Sequence, residues 1–357
     1  MLGQSVAATF INKTVPADLE DCVSKAECKD KDGQEIHAAV KSGNIAIIGL
    51  LLSQGFEVDS RNEKGITPLM YTAVNGHEGA FQMLIQNGAD PSLKDNGGFS
   101  LLHSAAQGGY TSIINKTLSL GLDIDSTTSG GVTPLMTAAC SGKQSAFEML
   151  IQNGADPSLK DNEGFSLSNF AAQGGNTYII NKLLSLGLDV DSRSNDGVTP
   201  LMTAARADKQ NAFEMLIQNG ADPSLKDNKG FSLLHFATEG GNTSIINKTL
   251  SLGLDIDSTT NGGVTPLMTA AGYGKQSAFE MLIQNGADPS LKDSGGFSLS
   301  HFAAHGGNTS IINKLLSLGL DVDLKDPNGK TPLIIAIEEN NSDAVKFLLS
   351  KGVHKSA

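Results

Sequence analysis

The chain repeats itself every 33 residues. A Thr or Ser opens a similar stretch at Thr67, Ser100, Thr133, Ser166, Thr199, Ser232, Thr265, Ser298 and Thr331, with nothing inserted between them. One step earlier the degenerate stretch Gln34-Glu35-Ile36-His37 holds the same register. That gives ten units, starting at residues 34, 67, 100, 133, 166, 199, 232, 265, 298 and 331, the last truncated. A period of this length marks a solenoid, because a unit so small cannot bury an apolar face alone and must stack on its neighbours. Odd and even units differ: one type reads TPLMTAA…AFEMLIQNGADPSLKDN, the other FSLLHFA…TSIINKTLSLGLDIDS. Residues 67–198 and 199–330 agree at 104 of 132 positions, which points to duplication of a four-repeat block.

Within a unit the residues predict two short helices and a turn. Thr133 suits an N-cap, and Pro134 suits the first helical position, where its missing N–H costs nothing. Leu135, Ala138 and Ala139 form a small-residue helix that Gly142 ends. Ala146, Phe147, Leu150 and Ile151 then recur at helical spacing as an apolar stripe, closed by Asn153-Gly154. ADPSLKDNEG, rich in Asp, Pro, Asn and Gly, turns back into the next unit.

These motifs resemble the ankyrin repeat. The odd units carry its TPL, its TAA, the glycine at Gly142 and the closing IQNGAD, and the last unit keeps DPNGKTPL from Asp326 to Leu333. The resemblance spans about nine-tenths of the chain and implies an all-α solenoid of about ten stacked helix-turn-helix units with loop or β-turn tips. Two departures stand out. Met70, Met136, Met202 and Met268 replace the family His in odd units, and even units lose the Pro while His103, His235 and His301 keep the His. Some capping and turn hydrogen bonds are therefore expected to change. Residues 1–33 precede the repeats as a tail, in which Pro16–Ala26 has the pattern of an amphipathic capping helix. At the other end Lys346, Lys351 and Lys355 predict a polar, partly basic finish. Met1 together with that finish reads as a complete array.

The chain offers little for catalysis or cofactor chemistry. No Gly-rich loop ends in Lys-Ser/Thr, no G-x-S-x-G elbow occurs, and GGNTS at Gly240–Ser244 lacks the βαβ setting of a dinucleotide site. The periodic histidines invite a metal-ladder reading. The resemblance implies instead that each bonds backbone groups within its own unit. Asp123, Asp125 and their copies read as solvated turn formers. Cys22, Cys28 and Cys140 match no zinc spacing and read as thiols of a reducing compartment. A net charge of −12 argues against a phosphate-backbone partner. No apolar run approaches a membrane span or a signal peptide, so the expected location is cytoplasmic. No metal, cofactor or catalytic residue is assigned.

Variation between near-identical copies points to contact residues. Framework positions hold still because every unit needs the same cap, stripe and turn. The pair after TAA does not: it reads Val74-Asn75, Cys140-Ser141, Arg206-Ala207 and Gly272-Tyr273. Even units answer with Gln107, Gln173, Glu239 and His305, each followed by Gly. Tyr71, Tyr110, Tyr178 and Tyr273 all stand where other copies are small or polar. Tyr and Arg are common interface anchors, and the resemblance implies that partners meet the first-helix face and loop tips. The expectation is a non-catalytic scaffold, monomeric, binding a protein partner on its concave face. Its candidate contacts are Tyr71, Asn75, Gln107, Tyr110, Ser141, Arg206, Glu239, Tyr273 and His305, with neutral drift as the bland alternative. A second line, Ile66, Phe99, Val132, Phe165, Val198, Phe231, Val264, Phe297 and Lys330, precedes each opening Thr or Ser. Its phenylalanines either form an exposed apolar edge for a partner or complete the stack; their regularity favours the stack. Two further roles stay open: a regulatory or substrate-receptor subunit of a kinase, phosphatase or ubiquitin ligase, and a structural spacer.

Overall fold

The computed structural model describes residues 35–352, and the Pro16–Ala26 segment and Lys355 lie outside them. Twenty helices follow one another, with no strand among the described residues. By its contacts the chain divides near Asn195 into two compact units. The first holds α1 (Glu35–Ser42), α2 (Ile45–Ser53), α3 (Pro68–Asn75), α4 (Glu78–Gln86), α5 (Leu101–Gly108), α6 (Thr111–Ser119), α7 (Pro134–Cys140), α8 (Gln144–Gln152), α9 (Leu167–Gly174) and α10 (Thr177–Ser185). The second holds α11 (Pro200–Arg206), α12 (Gln210–Gln218), α13 (Leu233–Gly240), α14 (Thr243–Ser251), α15 (Pro266–Gly272), α16 (Gln276–Gln284), α17 (Leu299–Gly306), α18 (Thr309–Ser317), α19 (Pro332–Glu338) and α20 (Ser342–Ser350). Within each unit first helices pack on first helices (α5 on α3, α13 on α11) and second helices on second helices (α4 on α2, α16 on α14).

The Met-for-His exchange relocates one bond and leaves the caps intact. Thr133 Oγ1 accepts the Met136 N–H at 3.2 Å, and the Thr133 N–H donates in turn to the Met136 thioether at 3.4 Å. In three of the four even repeats an imidazole does the same work, and in the fourth the Asn169 side-chain oxygen does. The Ser100 N–H donates to His103 Nδ1 at 3.1 Å, which leaves the ring proton on Nε2. That proton is donated at 2.9 Å to the carbonyl of Val132, the closing residue of the same repeat. A methionine cannot make this second bond, so only the histidines tie the start of a repeat to its own closing residue by this route. His103 and His235 are buried, which holds both rings neutral and lowers their pKa to about 4.

The stack is close because its facing residues are small. Ala73, Ala106, Ala139, Ala205, Ala271 and Ala304 are fully buried between first helices. The glycine after each even variable residue has the same cause: a Cβ on Gly240 would lie 2.6 Å from the Ala205 carbonyl oxygen. The second helices contribute the large core residues Phe81, Phe147, Phe213 and Phe279. Burying each stabilises the joint by roughly 2–3 kcal/mol.

Loop tips are knitted by hydrogen bonds. Asp227 Oδ1 accepts the Lys229 and Phe231 N–H groups at 2.9 and 2.7 Å, closing its own tip. The Asn261 N–H donates to the Lys229 carbonyl of the preceding repeat at 2.8 Å. The LDIDS carboxylates divide their work. Asp123 accepts the Asp125 N–H within its turn, and Asp125 accepts the Asp156 N–H of the next repeat at 3.1 Å.

The last repeat is more apolar on its outward side than the lysines near it suggest. Ile334 and Ile337 are 39% and 57% exposed, in register with Met268 and Ala271 at 1% and 0%. Lys346 and Lys351 are exposed beside them, so the finish is mixed.

Candidate functional site

The last residues of each first helix and the cap that follows form a row at the boundary between buried stack and solvent. In residues 35–195 it comprises Val74, Asn75, Gln107, Ser141 and Gln173 beside buried Cys140. These are mostly small or neutral. Asn75 is exposed and donates its amide to the Tyr71 carbonyl at 2.8 Å, a local helix cap. Ser141 is the C-cap of α7, and its hydroxyl is buried with no hydrogen-bond partner. Gln107 is half-buried, and Gln173 is buried with its Oε1 unbonded.

The row in residues 196–352 is charged and aromatic. Arg206 ends α11 and lays its guanidinium over the Phe236 ring of α13, with Cζ 5.6 Å from the centroid. Its Nε and Nη2, the edge that would grip a carboxylate side-on, are buried without an acceptor. Glu239, near the end of α13, is half-buried; burial raises its pKa, and Arg206 and Lys275 pull it back down. Tyr273 caps α15, and burial, then the Glu239 charge, push its phenol upward. One repeat further along the stack His305 Nε2 lies 3.6 Å from Glu339 Oε1, while its Nδ1 is buried and unbonded. Four variable positions, Arg206, Glu239, Tyr273 and His305, thus occupy successive repeats of one row, and three share one electrostatic cluster. Phe236 and Lys275 belong to it as well, Glu339 pairs with His305, and all three escaped the sequence reading. The signal for Phe236 was present, since Ser104 stands in its place one block earlier.

Other expected contacts fall elsewhere. Tyr71 is 5% exposed and lies in the core of α3, so its ring offers no surface. Tyr110 is exposed, but it precedes the second helix α6, with its ring against Gly76. The phenylalanine line divides. Phe165 and Phe297 are buried at 3% exposure, while Phe99 and Phe231 are half-buried. Phe99, Phe231 and Phe297 each set their ring edge-on to the histidine four residues on, at 5.4 Å. Those contacts are intramolecular packing, and they supply the physical reason for the line's regularity. Phe165 and Phe297 are therefore withdrawn as contact candidates and belong to the stack, the alternative their regularity favoured.

The repeated histidines spend both ring nitrogens on hydrogen bonds, as His235 does to Ser232 and to the Val264 carbonyl. Among the described residues no three His, Cys, Asp or Glu side chains converge as metal ligands, and no helix is long and apolar enough to cross a membrane. In comparison with known families, a model of ankyrin repeats, three copies to the model, matches residues 11–95, 36–128, 80–161, 135–227, 211–293 and 294–357. The comparison with curated proteins returns no match.

Proposed function

Because the chain belongs to the ankyrin-repeat family, whose members generally serve as protein-interaction modules, we propose that it is a non-catalytic scaffold. It binds a protein partner on the first-helix face of residues 196–352. One observation carries this reading. Among copies that otherwise agree almost letter for letter, the helix-end row alone gathers an arginine, a glutamate, a tyrosine and a histidine in consecutive repeats. None of the four is needed to fold a repeat, since Val74, Gln107, Ser141 and Gln173 serve the same places. Arginine and tyrosine in partly desolvated positions are what a binding hot spot requires. The stack holds them in place, so little side-chain entropy is lost on association.

The test is affinity capture from source cells with quantitative mass spectrometry, wild type against Arg206→Ala/Tyr273→Ala. Circular dichroism checks that the variant folds. A protein retained by wild type and lost from the folded variant supports the reading. Equal recovery by both removes this face from consideration.

A further inference from the structure

Eight Asn-Gly steps occur in the chain, and seven of them hold the asparagine amide in a hydrogen bond. Five lie at helix ends and donate it to the carbonyl four residues back at 2.8 Å, as Asn153 does to Met149. Asn96 and Asn261 donate it across to the preceding repeat at 3.0 and 3.1 Å. The eighth, Asn328, is exposed, and among the described residues its amide has no hydrogen-bond partner.

The tip that carries Asn328 also lacks a tie made by the seven tips before it. At 33-residue steps from Asn96 to Ser294, a backbone N–H donates to a carbonyl of the preceding repeat at 2.8–3.0 Å. The next step lands on Pro327, which has no N–H to give. This last tip is closed from within, by Asp326 Oδ1 accepting the Asn328 and Lys330 N–H groups at 2.9 and 2.7 Å.

We propose that Asn328-Gly329 is a site of spontaneous deamidation whose product loosens the repeat that follows. The reaction needs a free carboxamide and a backbone able to bring the next nitrogen onto it. The Gly329 nitrogen, its proton lost to base, attacks Asn328 Cγ; the Cγ–Nδ2 bond breaks, and ammonia leaves with that proton. Water then opens the succinimide to aspartate or isoaspartate, with no change of oxidation state. Glycine sets no side chain against the attack. The Gly329 N–H is held by the Asp326 carbonyl at 2.9 Å, a bond inside the same tip. Isoaspartate adds one carbon to the main chain between the two N–H groups that Asp326 accepts, and either product adds a negative charge beside that carboxylate. The next residues along carry the junction: the Lys330 carbonyl accepts the His301 Nε2 proton at 3.1 Å, and Thr331 caps α19.

The test incubates the full chain in mildly alkaline buffer, folded and in urea. Peptic digestion at low pH and mass spectrometry then read the acid form at each of the eight asparagines. In the folded chain Asn328 should convert roughly two- to tenfold faster than any other, the factor set by one amide hydrogen bond that must break first. In urea the eight rates should converge. Pro327→Ser restores an N–H at the step where Ser294 has one, and should slow Asn328 toward the rest. Hydrogen exchange should quicken in α19 and α20 of the aged chain, while an aged Asn328→Gln chain keeps its original rates. The site is overturned if folded Asn328 reacts no faster than the other seven, and the missing tie is not the cause if Pro327→Ser leaves its rate unchanged. The loosening is overturned if aged and fresh chains exchange alike in α19 and α20.

Discussion

Replacing Gly240 by Ala sets two rules of helix chemistry against each other. Gly240 lies within α13 at ordinary negative φ, so helix propensity alone predicts that Ala stabilises by about 0.5–1 kcal/mol. Packing predicts the opposite sign. The new Cβ would lie 2.6 Å from the Ala205 carbonyl oxygen and 2.8 Å from that of Arg206, both backbone atoms that cannot rotate aside. The α11–α13 joint must open by a few tenths of an ångström, and overpacking of this kind costs about 1–3 kcal/mol. The net expectation is a loss of about 1–2 kcal/mol. Gly49→Ala is the matched control. Gly49 also sits inside a helix, but its Cβ would meet only the flexible Met83 side chain at 3.5 Å, so it should be stabilised. Urea denaturation followed by circular dichroism reads both signs. If Gly240→Ala raises the midpoint, or both variants shift together, close backbone stacking is not what selects glycine there.

Acid should weaken the stack through its histidines. His103 and His235 protonate near 4 when folded and near 6.5 when unfolded, so the unfolded chain binds more protons between those values. Their contribution is present in full above about pH 6.5 and is lost as pH falls toward 4, by about 3 kcal/mol per ring. A double variant, His103→Asn with His235→Asn, should flatten the stability–pH curve measured by urea denaturation from pH 7 to 5. Arg206→Met should leave the free protein as stable or slightly more so, by up to about 1 kcal/mol, because it removes two buried donors that have no acceptor. A drop in melting temperature would show that the guanidinium is a structural tie. Asn341→Ala should cost about 1–2 kcal/mol by freeing the Ala304 and His305 carbonyls, which its amide now holds at 3.1 and 2.7 Å. Faster hydrogen exchange in α19 and α20 alone would place the effect at that joint.

Periodicity made the fold legible, because one repeat's caps, stripe and turn had to satisfy the same backbone needs ten times over. Thr133 and Pro134 announced a helix start that the structure places there. Registers were readable; accessibility was not. Tyr71 and Tyr273 look alike as tyrosines among small residues, yet one lies mid-helix facing the core and the other caps a helix at the surface. Four residues' difference in repeat register decides between them. The Arg206–Phe236 contact lay beyond reach for another reason. It joins residues 30 apart in different repeats, and only the close approach of α11 and α13 brings the guanidinium over the ring.

Hydrogen exchange of the protein, free and saturated with a captured partner, tests most directly where binding happens. If the helix-end row is the contact face, protection should concentrate at the ends of α11, α13, α15 and α17, around Arg206, Glu239, Tyr273 and His305. Protection confined to the second helices, with that row unchanged, would contradict the assignment and return these residues to drift.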